Sequence, residues 1–118
     1  MADDTFAVLT RAVQGLLYPS ETDAPFEPFV WEAGANTMAS VRRLSDEAAA
    51  EPCRTETLDD FLGDLAEEKE FAQLAALLKK TLTGIKVYRF GTVSPTYYVV
   101  GADAGGRLAG LKTHAVET

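Results

Sequence analysis

The sequence predicts an α+β domain in which helices pack on an antiparallel sheet. Three features lead to this prediction. An apolar pattern with helical spacing opens the chain, and a longer one fills residues 57–82. Residues 85–117 are instead rich in β-branched and aromatic side chains, which favour strands. Residues 1–118 are expected to form a single domain, because the length suits one domain and no linker or repeat divides the chain.

The first helix is predicted over about Asp4–Leu17, where apolar residues recur at helical spacing. Gly15 is placed where the end of this helix frays. Pro19 forbids further helix and favours an extended Tyr18, so the helix ends before them.

A polar turn at residues 20–23 follows, and an aromatic run at 26–33 is predicted to be a strand. The turn is too polar to be core, and it lies between two elements that must pack. Pro25 and Pro28 lack a backbone N–H, so they confine the strand to a sheet edge or to a late start.

Residues 34–54 give the weakest pattern. Residues 34–36, Gly-Ala-Asn, are typical of a turn. Residues 38–50 fit either a strand followed by an Ala-rich helical turn or a helix throughout, and propensity does not decide between them. Pro52 ends the segment.

A long helix is predicted over residues 57–82. Thr57 and Asp60 form a variant of the capping box, with Asp in place of Glu. Gly63 is expected to interrupt the helix. The basic pair 79–80 suits the C-terminal end of the helix dipole, and Gly84 suits the position after the cap.

The last part of the chain is predicted to be a run of antiparallel strands. Gly101 and Gly110 fall inside strands, where they indicate a bulge or a close backbone approach. Residues 103–106 supply a hairpin turn. The predicted strands are Ile85–Gly91, Thr96–Ala102 and Arg107–Glu117.

The net charge of the chain limits the classes of molecule that it can bind. There are 18 Asp and Glu residues against 11 Lys and Arg, which gives a net charge of −7. Such a surface disfavours nucleic acid and anionic lipid, and it favours basic protein partners. The acidic N-terminus has no signal-peptide pattern, and no apolar run approaches the ~20 residues that span a bilayer. Cytoplasmic residence is therefore expected.

The residues available for catalysis are few. With Cys53 as the single Cys and His114 as the single His, neither a disulfide nor a Cys/His zinc site can form within the chain. No metal in the free protein and no cofactor are expected. Acidic side chains crowd the long helix, where a solvated face is the ordinary role. A small hydrolase with His114 as base remains an alternative, although no nucleophile elbow accompanies it.

Two blocks of sequence resemble the nuclease A inhibitor family. The first is GLLYPSE followed by PFEPFVWE, and the second is VYRFG, TYYVVG and GGRLAGLKTHAVET, which runs to the last residue. Members of that family are small acidic proteins that block a sugar-non-specific, magnesium-dependent endonuclease of the ββα-metal type. The blocks cover about half of the chain, in the family order. The segment 34–83 resembles the family only loosely and is shortened.

The resemblance implies a three-layer α/β/α sandwich around a mainly antiparallel sheet. It also implies that the chain is not an enzyme, that it is a monomer when free, and that it binds one endonuclease in a 1:1 complex. Glu21 and the C-terminal Thr118 would occupy the nuclease active site, with Thr118 on its Mg²⁺. An acidic interaction domain of the same fold with a non-nuclease partner is the alternative function. Further candidate interface residues are Ser20, Thr22, Asp23, Asp59, Asp60 and Glu117.

Overall fold

An antiparallel sheet of five strands forms the centre of the fold. The computed structural model describes residues 4–20, 23–31, 36–45, 53–91 and 94–115. Within these residues the fold is mixed α+β, as predicted, with four α-helices, the five-stranded sheet and a separate two-stranded one. The helices are α1 (Asp4–Ala12), α2 (Met38–Ser45), α3 (Leu58–Leu62) and α4 (Lys69–Thr81). The strands are β1 (Leu17–Tyr18), β2 (Ala24–Pro25), β3 (Glu27–Trp31), β4 (Cys53–Glu56), β5 (Thr83–Phe90), β6 (Thr96–Ala102) and β7 (Leu108–His114).

The strand order of the main sheet is β3-β7-β6-β5-β4, and each neighbouring pair is antiparallel. β5, β6 and β7 follow one another as a meander, while β3 and β4 occupy the edges. The edge position of β3 confirms the expectation drawn from Pro25 and Pro28. Glu27 lies opposite Lys112, so the start of β3 and the end of β7 meet at the same end of the sheet.

Both faces of the sheet carry a hydrophobic cluster. Tyr97 and Val99 of β6 belong to one cluster and Tyr98 and Val100 to the other, because successive side chains of a strand point to opposite faces. α1, α3 and α4 supply the first cluster with, among others, Leu9, Phe61, Leu62, Leu74 and Leu78. α2 supplies the second with Val41. In the described part of the chain, no helix is both long and apolar enough to cross a membrane.

The first helix is shorter than predicted. α1 ends at Ala12, a turn follows, and Leu17 already belongs to β1. Gly15 reverses the chain with φ of +77°, a conformation that glycine adopts without steric cost. The helical spacing of the apolar residues continues past this point, but Leu17 is 47% exposed rather than packed.

The long helical segment is interrupted at Gly63, as predicted. The Thr57 hydroxyl caps α3 by accepting the Asp60 N–H at 3.0 Å. Gly63 then ends α3 with φ of +51°, and a 3₁₀ turn (Gly63–Glu67) leads into α4. The basic pair 79–80 lies in the last turn of α4, which confirms that prediction.

The prediction for Gly84 was wrong. α4 ends on an extended Leu82, and β5 begins at Thr83 without an intervening loop. Gly84 lies within β5 with φ of +63°, where the register of β5 and β6 shifts between Thr83 and Lys86. A glycine after a helix suits either a cap or a strand irregularity, and here the strand begins first.

The structure describes part of the segment 34–54. Residues 38–45 form α2, and β4 starts at Cys53, so the helical alternative holds for the first half of the 38–50 segment. Residues 46–50 lie outside the described residues, as do residues 34 and 35 of the predicted turn.

The Asn36 side chain, just before α2, forms hydrogen bonds to β5 and β6 near their register shift. Its side-chain N–H group donates to the carbonyl oxygens of Gly84 (2.9 Å) and Val100 (3.0 Å). The Tyr88 hydroxyl donates to Asn36 Oδ1 at 2.7 Å, and burial raises the pKa of Tyr88 to about 12. The phenol therefore stays a donor at neutral pH, and one amide satisfies three groups at the shifted register.

Asp103 organises the hairpin turn between β6 and β7. Its carboxylate is fully buried and accepts the main-chain N–H groups of Gly105 and Arg107, both at 2.9 Å. The Arg107 guanidinium pairs with it at 3.0 Å, and Thr5 of α1 donates to it at 3.3 Å. Burial raises the pKa of Asp103, but the bonds from Arg107 and Gly105 and the Arg107 charge outweigh this and bring the pKa below 3.8.

The two strand glycines allow close approaches, as predicted. A Cβ atom at Gly110 would collide with the main-chain carbonyl of Val99, and it would lie 3.3 Å from the Phe29 ring. A Cβ atom at Gly101 would lie 2.8 Å from the Cβ of Leu82. Glycine at position 110 therefore lets the Phe29 ring of edge strand β3 lie against β7.

We expect Asn36→Ala to lower the free energy of unfolding by about 2 to 4 kcal/mol, because two main-chain carbonyls and a buried phenol lose their partner. Urea unfolding followed by circular dichroism measures the change. Thr83→Val is the control, because it removes a single exposed 3.4 Å bond to the Ala102 carbonyl in the same region. An Asn36→Ala variant as stable as the control would contradict the assigned role of Asn36.

We expect Asp103→Asn to lower the free energy of unfolding at pH 7 by about 2 to 3 kcal/mol. The pKa of Asp103 is lowered by folding, so its contribution is present above the unfolded-state pKa and is lost as the pH falls through the folded-state pKa. The stability difference between wild type and variant should therefore shrink between pH 5 and pH 2. A constant difference across this range, measured by urea unfolding, would show that the Asp103 charge has no such role.

Candidate functional site

The predicted acidic turn is the connection of a short hairpin. β1 and β2 pair antiparallel, with Leu17 opposite Pro25 and Tyr18 opposite Ala24. Within the connection, the Ser20 N–H donates to Asp23 Oδ1 at 3.3 Å, which is the kind of local bond that stabilises turns. Ser20 is half-buried and Asp23 is exposed. Glu21 and Thr22 lie outside the described residues.

Aromatic packing fixes the first strand of this hairpin. The Tyr18 ring stacks on the Phe61 ring of α3, with centroids 5.0 Å apart and planes at 7°. The same ring lies 5.8 Å from Tyr97 of β6 and meets Phe26 edge-on at 6.1 Å. Such pairs contribute about 0.5–1.5 kcal/mol beyond their buried area, so the hairpin is held against the first core cluster.

The end of β7 is held beside the second strand of the hairpin. Thr113 is 1% exposed, and its hydroxyl donates to the Pro25 carbonyl at 3.1 Å. Ala115 is also buried, and its N–H donates to the Pro95 carbonyl at 3.0 Å. Glu117 and Thr118 lie outside the described residues. Ser20 and Asp23 thus flank a turn whose hairpin is bonded directly to the strand that leads toward Thr118.

His114 occupies the surface next to this contact. Its Nδ1 atom is 3.3 Å from the Thr96 hydroxyl, and its Nε2 atom is 3.9 Å from a Glu27 carboxylate oxygen. The second distance is too long for a hydrogen bond, and both side chains are about half exposed, at 47% and 59%. Among the described residues, the Glu27 carboxylate is too far away to orient the imidazole as a general base, so this part of the structure does not favour the hydrolase alternative.

The two aspartates of α3 are placed differently. Asp59 forms an exposed 3.2 Å ion pair with Lys79, and both line a cavity of about 450 Å³ beside the start of β5. The start of β5 pairs with the end of β6, so this cavity lies at the other end of the sheet from Ala115. Asp60 is exposed on the first turn of α3. Asp59 and Asp60 are thus both exposed on α3, the helix whose Phe61 ring stacks on Tyr18 of the hairpin.

Sequence reasoning did not find the residues that hold the turn. Strand alternation places Thr113 on the same face as the buried Tyr97, which it opposes across β6 and β7. That pattern identifies an inward-facing hydroxyl, and a buried hydroxyl needs a hydrogen-bond partner. It does not identify Pro25 as that partner, because the contact spans 88 positions.

No three or more His, Cys, Asp or Glu side chains form a possible metal-holding group within the described ranges. Comparison with curated proteins gives no match. The family model described as nuclease A inhibitor-like protein matches residues 3–118. This match includes the loosely similar segment 34–83 as well as both blocks identified in the sequence. The chain belongs to the nuclease A inhibitor-like protein family.

Proposed function

We propose that this chain is a protein inhibitor of a sugar-non-specific, Mg²⁺-dependent endonuclease of the ββα-metal type. In this proposal Glu21 and the C-terminal Thr118 enter the nuclease active site together. Family membership supports the inhibitor class. The hydrogen bond between Thr113 and Pro25 carries the two-residue site, because it joins the two segments that lead to Glu21 and Thr118.

The lengths of chain involved support a joint site. Glu21 is four positions from Pro25, and Thr118 is five positions from Thr113. At ~3.3–3.6 Å per extended residue, the two segments reach at most about 14 and 18 Å from the hydrogen bond that joins them. These limits permit both acidic groups to enter a single phosphate-binding cleft.

The chemistry of the two residues suits such a cleft. An endonuclease site holds a hard divalent cation, which prefers oxygen ligands, and basic groups that bind phosphate. Thr118 offers a hydroxyl and an α-carboxylate on one residue, and Glu21 offers an oxygen pair that an arginine can bind in bidentate fashion. Together these oxygens stand in for those of the scissile phosphodiester. The net charge of −7 assists the encounter with a basic site.

The proposal includes the finer features that the family implies. The helices are assigned to two outer layers of an α/β/α sandwich, which the hydrophobic clusters on both faces of the sheet support. The inhibitor is a monomer when free and binds one nuclease with an interface of about 800 Å² per partner. Ser20, Thr22, Asp23 and Glu117 belong to the rim of that interface. Asp59 and Asp60 contribute only if the nuclease extends beyond the turn.

We expect the purified protein to stop plasmid cleavage by ββα-metal endonucleases at a 1:1 ratio. Glu21→Gln should weaken inhibition by about 2 to 5 kcal/mol, because it leaves a basic side chain of the nuclease without its buried partner. Glu67→Gln is the matched control, since Glu67 is exposed on the 3₁₀ turn. Unchanged cleavage by several such enzymes at excess inhibitor would overturn the proposed function. Capture of a non-nuclease protein would then favour the interaction-domain alternative.

Deletion of Thr118 should weaken inhibition by several kcal/mol, the size expected for a central hot spot, which corresponds to roughly a hundredfold or more in the inhibition constant. Addition of one alanine after Thr118 should have a similar effect, because it removes the free α-carboxylate from that position. Deletion and extension are compared in the plasmid assay and by calorimetry. Equal inhibition by wild type and both variants would exclude Thr118 as a ligand while leaving the inhibitor class intact.

A further inference from the structure

One group of side chains anchors both segments that lead to the proposed site. Thr113 and Tyr97 oppose each other on β7 and β6. Thr113 binds the Pro25 carbonyl of β2, and the Tyr97 ring lies 5.8 Å from the Tyr18 ring of β1. We call this group the brace; it consists of Tyr18, Pro25, Phe61, Tyr97 and Thr113.

The Thr113 hydroxyl is not explained by packing. The residue is 1% exposed and lies opposite the buried Tyr97, and a valine has nearly the same shape without the hydroxyl. A buried hydroxyl is unfavourable unless it is hydrogen-bonded, so the 3.1 Å bond to Pro25 is the arrangement that this residue requires. The bond is directional, and it fixes β2 against the end of β7.

Tyr18 holds the other strand of the hairpin in the same place. Its ring is nearly parallel to Phe61, at 7°, and it also packs on Tyr97. Tyr18 pairs with Ala24 across the hairpin. The Tyr18 ring therefore anchors one side of the connection at 19–23, and the Pro25 carbonyl anchors the other. On the β7 side, the bond from Ala115 to Pro95 fixes the last described residue.

We infer that Thr113 and Tyr18 are positioning residues, which hold the acidic turn and the end of the chain in one relative position before a nuclease binds. The inference rests on the proposed function only in that Glu21 and Thr118 act together. Two groups that are already placed lose less conformational entropy on binding, so the brace raises affinity without touching the nuclease.

The first test measures the geometry of the free protein and requires no nuclease. Spin labels are attached at Thr22→Cys and Glu117→Cys in a Cys53→Ser background, and their separation is measured by double electron–electron resonance. We expect a narrow distance distribution that broadens with Thr113→Val and with Tyr18→Leu. Thr113→Ser, which keeps the hydroxyl donor, should preserve the narrow distribution.

Thr83→Val is the matched control, because Thr83 also donates its hydroxyl to a strand carbonyl, that of Ala102, but at the other end of the sheet. It should leave the label separation unchanged. A parent distribution as broad as that of Thr113→Val would overturn the inference, and so would equal broadening by Thr83→Val. The melting temperatures of Thr113→Val and Thr83→Val show whether broadening of the label distances accompanies a general loss of stability.

The second test measures inhibition of plasmid cleavage by a ββα-metal endonuclease. Loss of one neutral hydrogen bond corresponds to roughly a five- to tenfold change, so Thr113→Val should raise the inhibition constant by that factor and Thr113→Ser should restore it. Thr83→Val should stay within about twofold of wild type. Equal inhibition by Thr113→Val and Thr83→Val would overturn the inference. If the parent protein does not inhibit, the proposed function fails, and the label distances alone decide whether the brace exists.

Discussion

The burial of β6 on both faces is the constraint on which the structure depends. Residues 97–101 of this strand are all buried, and the side chains of residues 97–100 divide between two hydrophobic clusters. A strand in this position needs a neighbouring strand on each edge and apolar cover on both faces. The meander of β5, β6 and β7 provides the neighbours, while α2 contributes side chains to one cluster and α1, α3 and α4 contribute side chains to the other. β3 and β4 then occupy what is left, the two edges.

Polar side chains join this sheet to distant parts of the chain. Asn36 meets the Val100 carbonyl, Asp103 accepts from Thr5, and Thr113 donates to Pro25, across 64, 98 and 88 positions. Each contact satisfies a group that would be costly to bury alone. Each also lies where regular pairing stops, at a shifted register, a hairpin turn or a short hairpin beside the main sheet. The apolar clusters hold the layers together, and these three bonds set how the irregular segments meet them.

Local chemistry explains why parts of the fold could be predicted from the sequence. The capped start at Thr57, the break at Gly63 and the edge strand with Pro28 depend on residues with restricted backbone preferences, so short-range reasoning identified them. The end of α1 was missed because its apolar spacing runs on through a chain reversal, and Gly84 was misplaced because the helix and β5 adjoin directly. For the candidate site, the sequence indicated the polar turn between two elements that must pack. It could not reveal the stack of Tyr18 on Phe61, which depends on tertiary packing.

The pairing of β3 with β7 determines the order in which parts of the protein fold during its synthesis. A nascent chain that has not reached Leu108 has no β7, so β3 has no strand to pair with and Pro25 has no hydroxyl donor. β3 therefore cannot join the sheet until β7 has been synthesised. The bond that holds β2 against β7 can form only after β7 has been synthesised, and a chain that is terminated before β7 lacks it.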